Sequence, residues 1–166
     1  MPYINVSFQG ETCMRRAEKE ITNRREIDMI LSKATICRIG FHDQQVSYIV
    51  PMNFGYSDDC LYLHSAPQGK KIELLKRNPL VCFEVENDVE IISTGIPCQW
   101  SMNYTSVIGY GTASFITNLE QKQKALQIII DHYSPGSSYV FPEKKRNEVT
   151  IIKIEITQMT GKKSQT

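Results

Sequence analysis

A chain of 166 residues, 41% hydrophobic and 22% charged, is long enough for one domain with a packed core and too short for two ordinary ones. Its 19 Lys+Arg against 18 Asp+Glu leave a formal charge of +1, which argues against bulk electrostatic binding to nucleic acid or an anionic membrane. No apolar run nears the ~18 residues of a membrane-spanning helix, and the start Met1-Pro2-Tyr3-Ile4-Asn5 lacks the basic-then-apolar pattern of a secretory signal. Five scattered cysteines (Cys13, Cys37, Cys60, Cys82, Cys98), without a C-x-x-C pair, predict reduced thiols in a cytoplasmic chain and no metal site.

Residues 1–13 lack periodicity and are expected to be an N-terminal extension to a domain over 14–158, with a polar tail over 159–166. Asn23 followed by Glu26 marks a helix start, and Ile27, Ile30 and Leu31 carry that helix to about Lys33. Cys37, Ile39 and Phe41, then Val46, Tyr48 and Val50, alternate with their neighbours around His42-Asp43-Gln44, which predicts a hairpin that Pro51 interrupts or ends. A turn is expected over Gly55–Asp59, a strand over Cys60–Ser65, a helix over Lys70–Arg77 and a strand over Leu80–Glu86. An irregular excursion is expected over Asn87–Asn103, and then a long strand over Tyr104–Ile116. In it Gly109 and Gly111 share a face and predict a bend or a close backbone approach. Thr117 and Glu120 fit a capping box for a helix with the stripe Leu126, Ile129, Ile130 and Tyr133, and a last strand follows over Val149–Thr157.

The order α-β-β-β-α-β-β-α-β lacks the regular alternation of a parallel doubly wound sheet. It predicts a mainly β domain with peripheral helices, about six antiparallel strands forming a closed or partly closed barrel.

Familiar chemical motifs fail on spacing. A P-loop ending at Gly69-Lys70 would need its first glycine at His64, and Gly109-x-Gly111 lies within a strand, with Ser114 in the place of a third glycine. Three segments remain. In Leu61–Lys71 a strand ends in His64 and Ser65, a small-residue turn follows, and Lys70 and Lys71 open a helix whose N-terminus suits a phosphate; the same lysines also read as solvated helix residues and His64 as a half-buried strand histidine. In Val50-Pro51-Met52-Asn53-Phe54-Gly55-Tyr56 the proline frees backbone groups that could meet a planar heterocycle, or simply marks an edge bulge. Trp100–Gly111 crowds Ser101, Asn103, Tyr104, Thr105 and Ser106 before an apolar strand, which also reads as a solvated loop and strand start.

In this order the three segments resemble the flavin-binding split-barrel proteins, and most of all the nitroimidazole-resistance (Nim) branch related to pyridoxamine 5′-phosphate oxidase. The likeness runs from about Met14 into the tail. It implies a six-stranded antiparallel split β-barrel and a homodimer with FMN at the subunit interface. It places Val50, Pro51, Met52 and Asn53 along the flavin ring, Lys70 and Lys71 on the FMN phosphate with His64 and Ser65 beside it, and Ser106 at a polar FMN contact. Trp100 and Tyr104 would reach the partner's flavin. The oxidases also carry a tryptophan and an arginine in a C-terminal segment; here the only tryptophan is Trp100 and the tail has Lys162 and Lys163 but no arginine, which favours the Nim-like branch. The implied activity is an FMN-dependent oxidoreductase acting on small electrophiles such as nitroimidazoles and nitroaromatics, with His64 as proton donor. The alternatives are a flavin or haem binding module without turnover, and pyridoxamine 5′-phosphate oxidation.

Overall fold

The computed structural model describes residues 15–43 and 46–164. In chain order these form β1 (Glu20–Ile21), α1 (Arg24–Lys33), β2 (Cys37–Asp43), β3 (Val46–Met52), β4 (Gly55–Ser57), β5 (Cys60–Ser65), α2 (Lys70–Arg77), β6 (Leu80–Ile92), β7 (Ser101–Ile116), α3 (Leu119–Tyr133), α4 (Glu143–Glu148) and β8 (Thr150–Ser164), with short 3-10 turns at Ala17–Lys19 and Pro97–Gln99. The strands make one antiparallel sheet in the order β3-β2-β6-β7-β8-β5-β4, with β1 added to β8.

β3 and β4 lie at opposite ends of that order, yet only Asn53 and Phe54 separate them. Three Cα–Cα steps span at most about 11 Å, so the sheet must curl until its two edges meet at this corner. The result is an open, split barrel joined by covalent chain where strand pairing stops. Its interior holds Cys37, Ile39, Phe54, Leu61, Leu63, Phe83, Val85, Val107, Ile152 and Ile154, all essentially inaccessible. α1 closes one side with Ile27, Ile30 and Leu31, and Asn23 caps it by accepting from the Arg25 N–H at 2.9 Å.

The mainly β, antiparallel architecture and the helices at α1 and α2 agree with expectation, but the described residues form eight strands rather than six. β1 and β4 have two and three residues, too few to show a period. The turn expected over Gly55–Asp59 is β4 followed by a tight turn in which Asp58 and Asp59 take φ of 50° and 57°. Pro51 does not end β3: it pairs with Arg38 on an edge strand, where its missing N–H costs no ladder bond. The excursion over Asn87–Asn103 is mostly the continuation of β6 and β7, with a register shift between Asn87 and Glu90. Asn118, not Thr117, caps α3, accepting from Glu120 N and Gln121 N. Its buried face is Lys122, Ala125 and Ile129, whereas Tyr133 is 42% exposed. α4 is unforeseen because its sequence is almost wholly polar. β8 runs on through the polar tail to Ser164, held on both sides by β7 and β1. Residues 1–13, Cys13 and Gln44 lie outside the described residues.

Candidate functional site

α2 begins at Gly69, whose φ of 121° disfavours any residue with a Cβ. The Gly69 carbonyl accepts from Ile72 N at 3.0 Å and Glu73 N at 3.2 Å, but no side chain caps the helix. The first helical N–H groups, at Lys70 and Lys71, therefore have no partner within the helix, and no atom stands within 4 Å of where a Gly69 Cβ would be. Ile72, Leu74 and Leu75 bury the opposite face and fix the helix on the barrel. The Lys70 ammonium lies 2.9 Å from Asp43 and 4.7 Å over the Tyr48 ring, so it is held against the β2–β3 hairpin. Lys71 is half-buried and forms no ion pair among the described residues.

β5 leads into this turn. His64 is half-buried opposite Ile151; Ser65 is buried opposite Thr150 and its hydroxyl donates to the Ala66 carbonyl at 3.0 Å. The register Gly55↔Tyr62 carries β5 back past the corner at Asn53. There Val50 is half-buried, Pro51 and Asn53 are exposed, and Met52 is a core residue. The β4–β5 register thus runs His64 back toward the Asn53 corner, while Lys70 at the start of α2 is held toward the turn of the β2–β3 hairpin, at Asp43 and Tyr48.

Trp100, Tyr104 and Ser106 form a second group at the start of β7. The rungs Pro51↔Arg38, Arg38↔Glu84 and Glu84↔Ile108 set Ile108 three strand spacings, roughly 14 Å along the sheet, from Pro51, and the group lies two to eight residues from Ile108 toward the start of β7. Trp100 is exposed and its indole N–H donates to the Thr94 carbonyl at 2.9 Å. Lys162 lies 5.3 Å from the Tyr104 ring centroid, and buried Ser106 stands between Glu86 and Lys162 in register.

From the Arg38↔Glu84 rung toward the β2–β3 turn, the outer face of β2, β3, β6 and β7 forms an open groove of about 920 Å³, lined by Gly40, Ile49, Leu80, Cys82 and Tyr110. Arg38 at its edge holds Glu84 at 3.0 Å and Glu86 at 2.8 Å. Burial pushes the Glu84 carboxyl above its usual value despite that guanidinium. Arg38 was legible as outward-facing, since it alternates with buried Cys37 and Ile39. A further pair had no sequence signal: the Tyr133 hydroxyl accepts from Phe54 N at 2.9 Å and donates to the Thr35 carbonyl at 2.9 Å, and His132 Nε2 sits 2.7 Å from the Ala34 carbonyl.

An uncapped helix start with two lysines, next to an edge strand with free backbone groups and an exposed amide, fits a phosphate attached to a flat heteroaromatic ring. The chain is 37% identical to a proposed 5-nitroimidazole antibiotic resistance protein from Bacteroides thetaiotaomicron, covering 86% of this chain and 85% of that one with a TM-score of 0.78. An FAD- and haem-binding protein from Mycobacterium smegmatis (18% identity, 89% and 74% coverage, TM-score 0.80) and a flavocytochrome from Azotobacter vinelandii (18%, 92% and 72%, TM-score 0.78) share the fold. No curated protein matches the chain. The model of the family described as pyridoxamine 5′-phosphate oxidase matches residues 23–163. With a family match over most of its length and a split barrel to go with it, the chain belongs to the pyridoxamine 5′-phosphate oxidase family.

Proposed function

We propose that this protein is an FMN-dependent oxidoreductase that reduces small electrophiles of the nitroimidazole class, and that it acts as a homodimer in the cytoplasm. The observation that carries the reading is the uncapped start of α2, with Gly69, Lys70 and Lys71, which follows His64 at the end of β5 and packs through Lys70 on Tyr48 of the edge strand β3. The relative from Bacteroides thetaiotaomicron supports the substrate class.

FMN, when bound, supplies the electron storage and transfer that no side chain here offers. The chain's own residues do the rest. Lys70 and Lys71, with the helix N-terminus behind them, neutralise and fix a phosphate dianion. Val50, Pro51 and Met52 present an edge strand whose backbone groups are free to pair with polar atoms on a ring rim, and the Asn53 amide adds a donor and an acceptor. His64, at the end of β5, holds an imidazole proton for a substrate that gains negative charge on reduction. Ser65, with its hydroxyl turned to Ala66, shapes the turn ahead of the lysines.

A second copy supplies the remaining wall. Trp100, Tyr104 and Ser106 lie apart from the corner on the same chain, and the neighbouring outer sheet face exposes Ile49, Leu80, Ile108 and Tyr110 next to the mixed charges Arg38, Glu84 and Glu86. A face with both apolar and opposite-charge elements is self-complementary across a two-fold axis.

The test is an FMN titration followed by absorbance, then reduction by NADH or NADPH and reoxidation by a nitroimidazole. The wild-type protein is expected to bind FMN and to turn over. Replacing both Lys70 and Lys71 by Ala is expected to raise the FMN Kd by about tenfold or more, since charge-assisted hydrogen bonds are worth about 1.5–3 kcal/mol. A protein that takes up no FMN overturns the reading.

A further inference from the structure

We propose that Tyr133, seconded by His132, is a positioning residue for the flavin: α3 ends in a clamp that sets the β3–β4 corner in the geometry the ring requires. The inference rests on the proposed flavin site at Asn53 and deepens it.

The corner cannot hold itself. β3 lies on one sheet edge and β4 on the other, so the residues between them have no ladder to join. Phe54 is fully buried, and a buried backbone N–H must find an acceptor. That acceptor is the hydroxyl of Tyr133, 79 residues away in sequence, at 2.9 Å. The same hydroxyl donates to the Thr35 carbonyl, just before β2. Cys37 of β2 pairs with Met52, so one phenol ties both strands of that final rung. Burial pushes the Tyr133 hydroxyl up in pKa, against the opposing bond from Phe54, which keeps its proton available to Thr35.

His132 repeats the arrangement one residue earlier. A carbonyl can only accept, so its Nε2 carries the hydrogen shared with Ala34 at 2.7 Å. Its ring lies 4.4 Å from the Phe54 ring, centroid to centroid. The next residue leaves no slack: a Cβ on Gly55 would stand 2.7 Å from the Ile128 carbonyl oxygen, so the α3 backbone rests directly on β4. Met52 and Phe54 are thus locked in the interior and Asn53 alone faces out between them. Its orientation is fixed by α3, not by the sheet.

The experiment compares FMN binding and the visible absorbance and circular dichroism of bound FMN in the wild type, Tyr133→Phe and Asn118→Ala. Asn118 caps the far end of α3, so its loss weakens the same helix without touching the corner. Tyr133→Phe is expected to raise the FMN Kd by roughly tenfold and to shift the flavin bands, while Asn118→Ala lowers the melting temperature and leaves both unchanged. An unaltered Kd and spectrum in Tyr133→Phe overturns the clamp, as does an equal loss in Asn118→Ala. Should Tyr133→Phe not fold, hydrogen exchange in the wild type decides. A Phe54 amide protected in the free protein and slowed further by FMN upholds the clamp, and one indifferent to FMN overturns it. A wild type that does not bind FMN at all overturns the flavin reading itself.

Discussion

Gly109 and Gly111 show how closely single residues are specified in this barrel. A Cβ on Gly109 would fall 2.4 Å from Phe83 Cζ and 2.9 Å from the Gln158 carbonyl oxygen; on Gly111 it would fall 2.6 Å from the Glu155 carbonyl oxygen. The β7–β8 register also shifts between Tyr110 and Gly111. The two glycines therefore let the Phe83 ring and the bulged strand come together, as their shared face suggested. Gly109→Ala is expected to cost about 1–3 kcal/mol, because the carbonyl of β8 cannot yield as a side chain could. Chemical denaturation of the variant, compared with the wild type, measures it.

Among the elements, α1 is fastened to the β4–β5 turn by a compact polar cluster. The Tyr56 hydroxyl donates to Asp28 at 2.7 Å, Arg24 donates to Asp28 at 2.8 Å and to the Tyr56 oxygen at 2.9 Å, and Arg24 also pairs with Asp59. Burial and the hydrogen bond to Asp28 push the Tyr56 phenol up to about 12. For Asp28, burial alone would raise the carboxyl, but the bonds from Tyr56 and Arg24 outweigh it and hold the pKa below its ordinary value. A carboxyl lowered in the folded state binds protons more tightly when unfolded, so its contribution is complete above the ordinary value of about 3.9 and is lost as pH falls through the folded value. Stability is therefore expected to drop on acidification from about pH 5 to about pH 3, and Asp28→Asn to flatten that drop. Melting temperatures across that range check the slope.

For the whole molecule the decisive question is what covers the groove. Ile49 is 63% exposed and Leu80 48%, so neither holds the barrel together. Ile49→Glu combined with Leu80→Glu is expected to leave the melting temperature of the single subunit nearly unchanged. It should weaken dimerisation by roughly 100-fold or more, because an interface would have to bury unpaired carboxylates. Sedimentation velocity distinguishes dimer from monomer. In the proposed dimer Trp100, Tyr104 and Ser106 of one subunit complete the flavin site of the other, so FMN binding is expected to weaken with it.

The sequence by itself determined most of what local physics controls. The cap at Asn23, the helix Lys70–Arg77 and the inward alternation of β2 and β5 depend on neighbours within a few residues and were legible there. The lysines, His64 and the Asn53 segment were legible as a family pattern and as separate local features. The tertiary structure added that Lys70 is held at Tyr48 and Asp43 and that the β4–β5 register runs His64 back toward the Asn53 corner. The two-residue passage from one sheet edge to the other, the growth of a polar tail into β8, and the reach of Tyr133 to Phe54 and Thr35 all join distant segments. β1 and β4 are too short to carry a period, and a polar strand such as the end of β8 is fixed by the partners β7 and β1 on either side, so no local window contains the information.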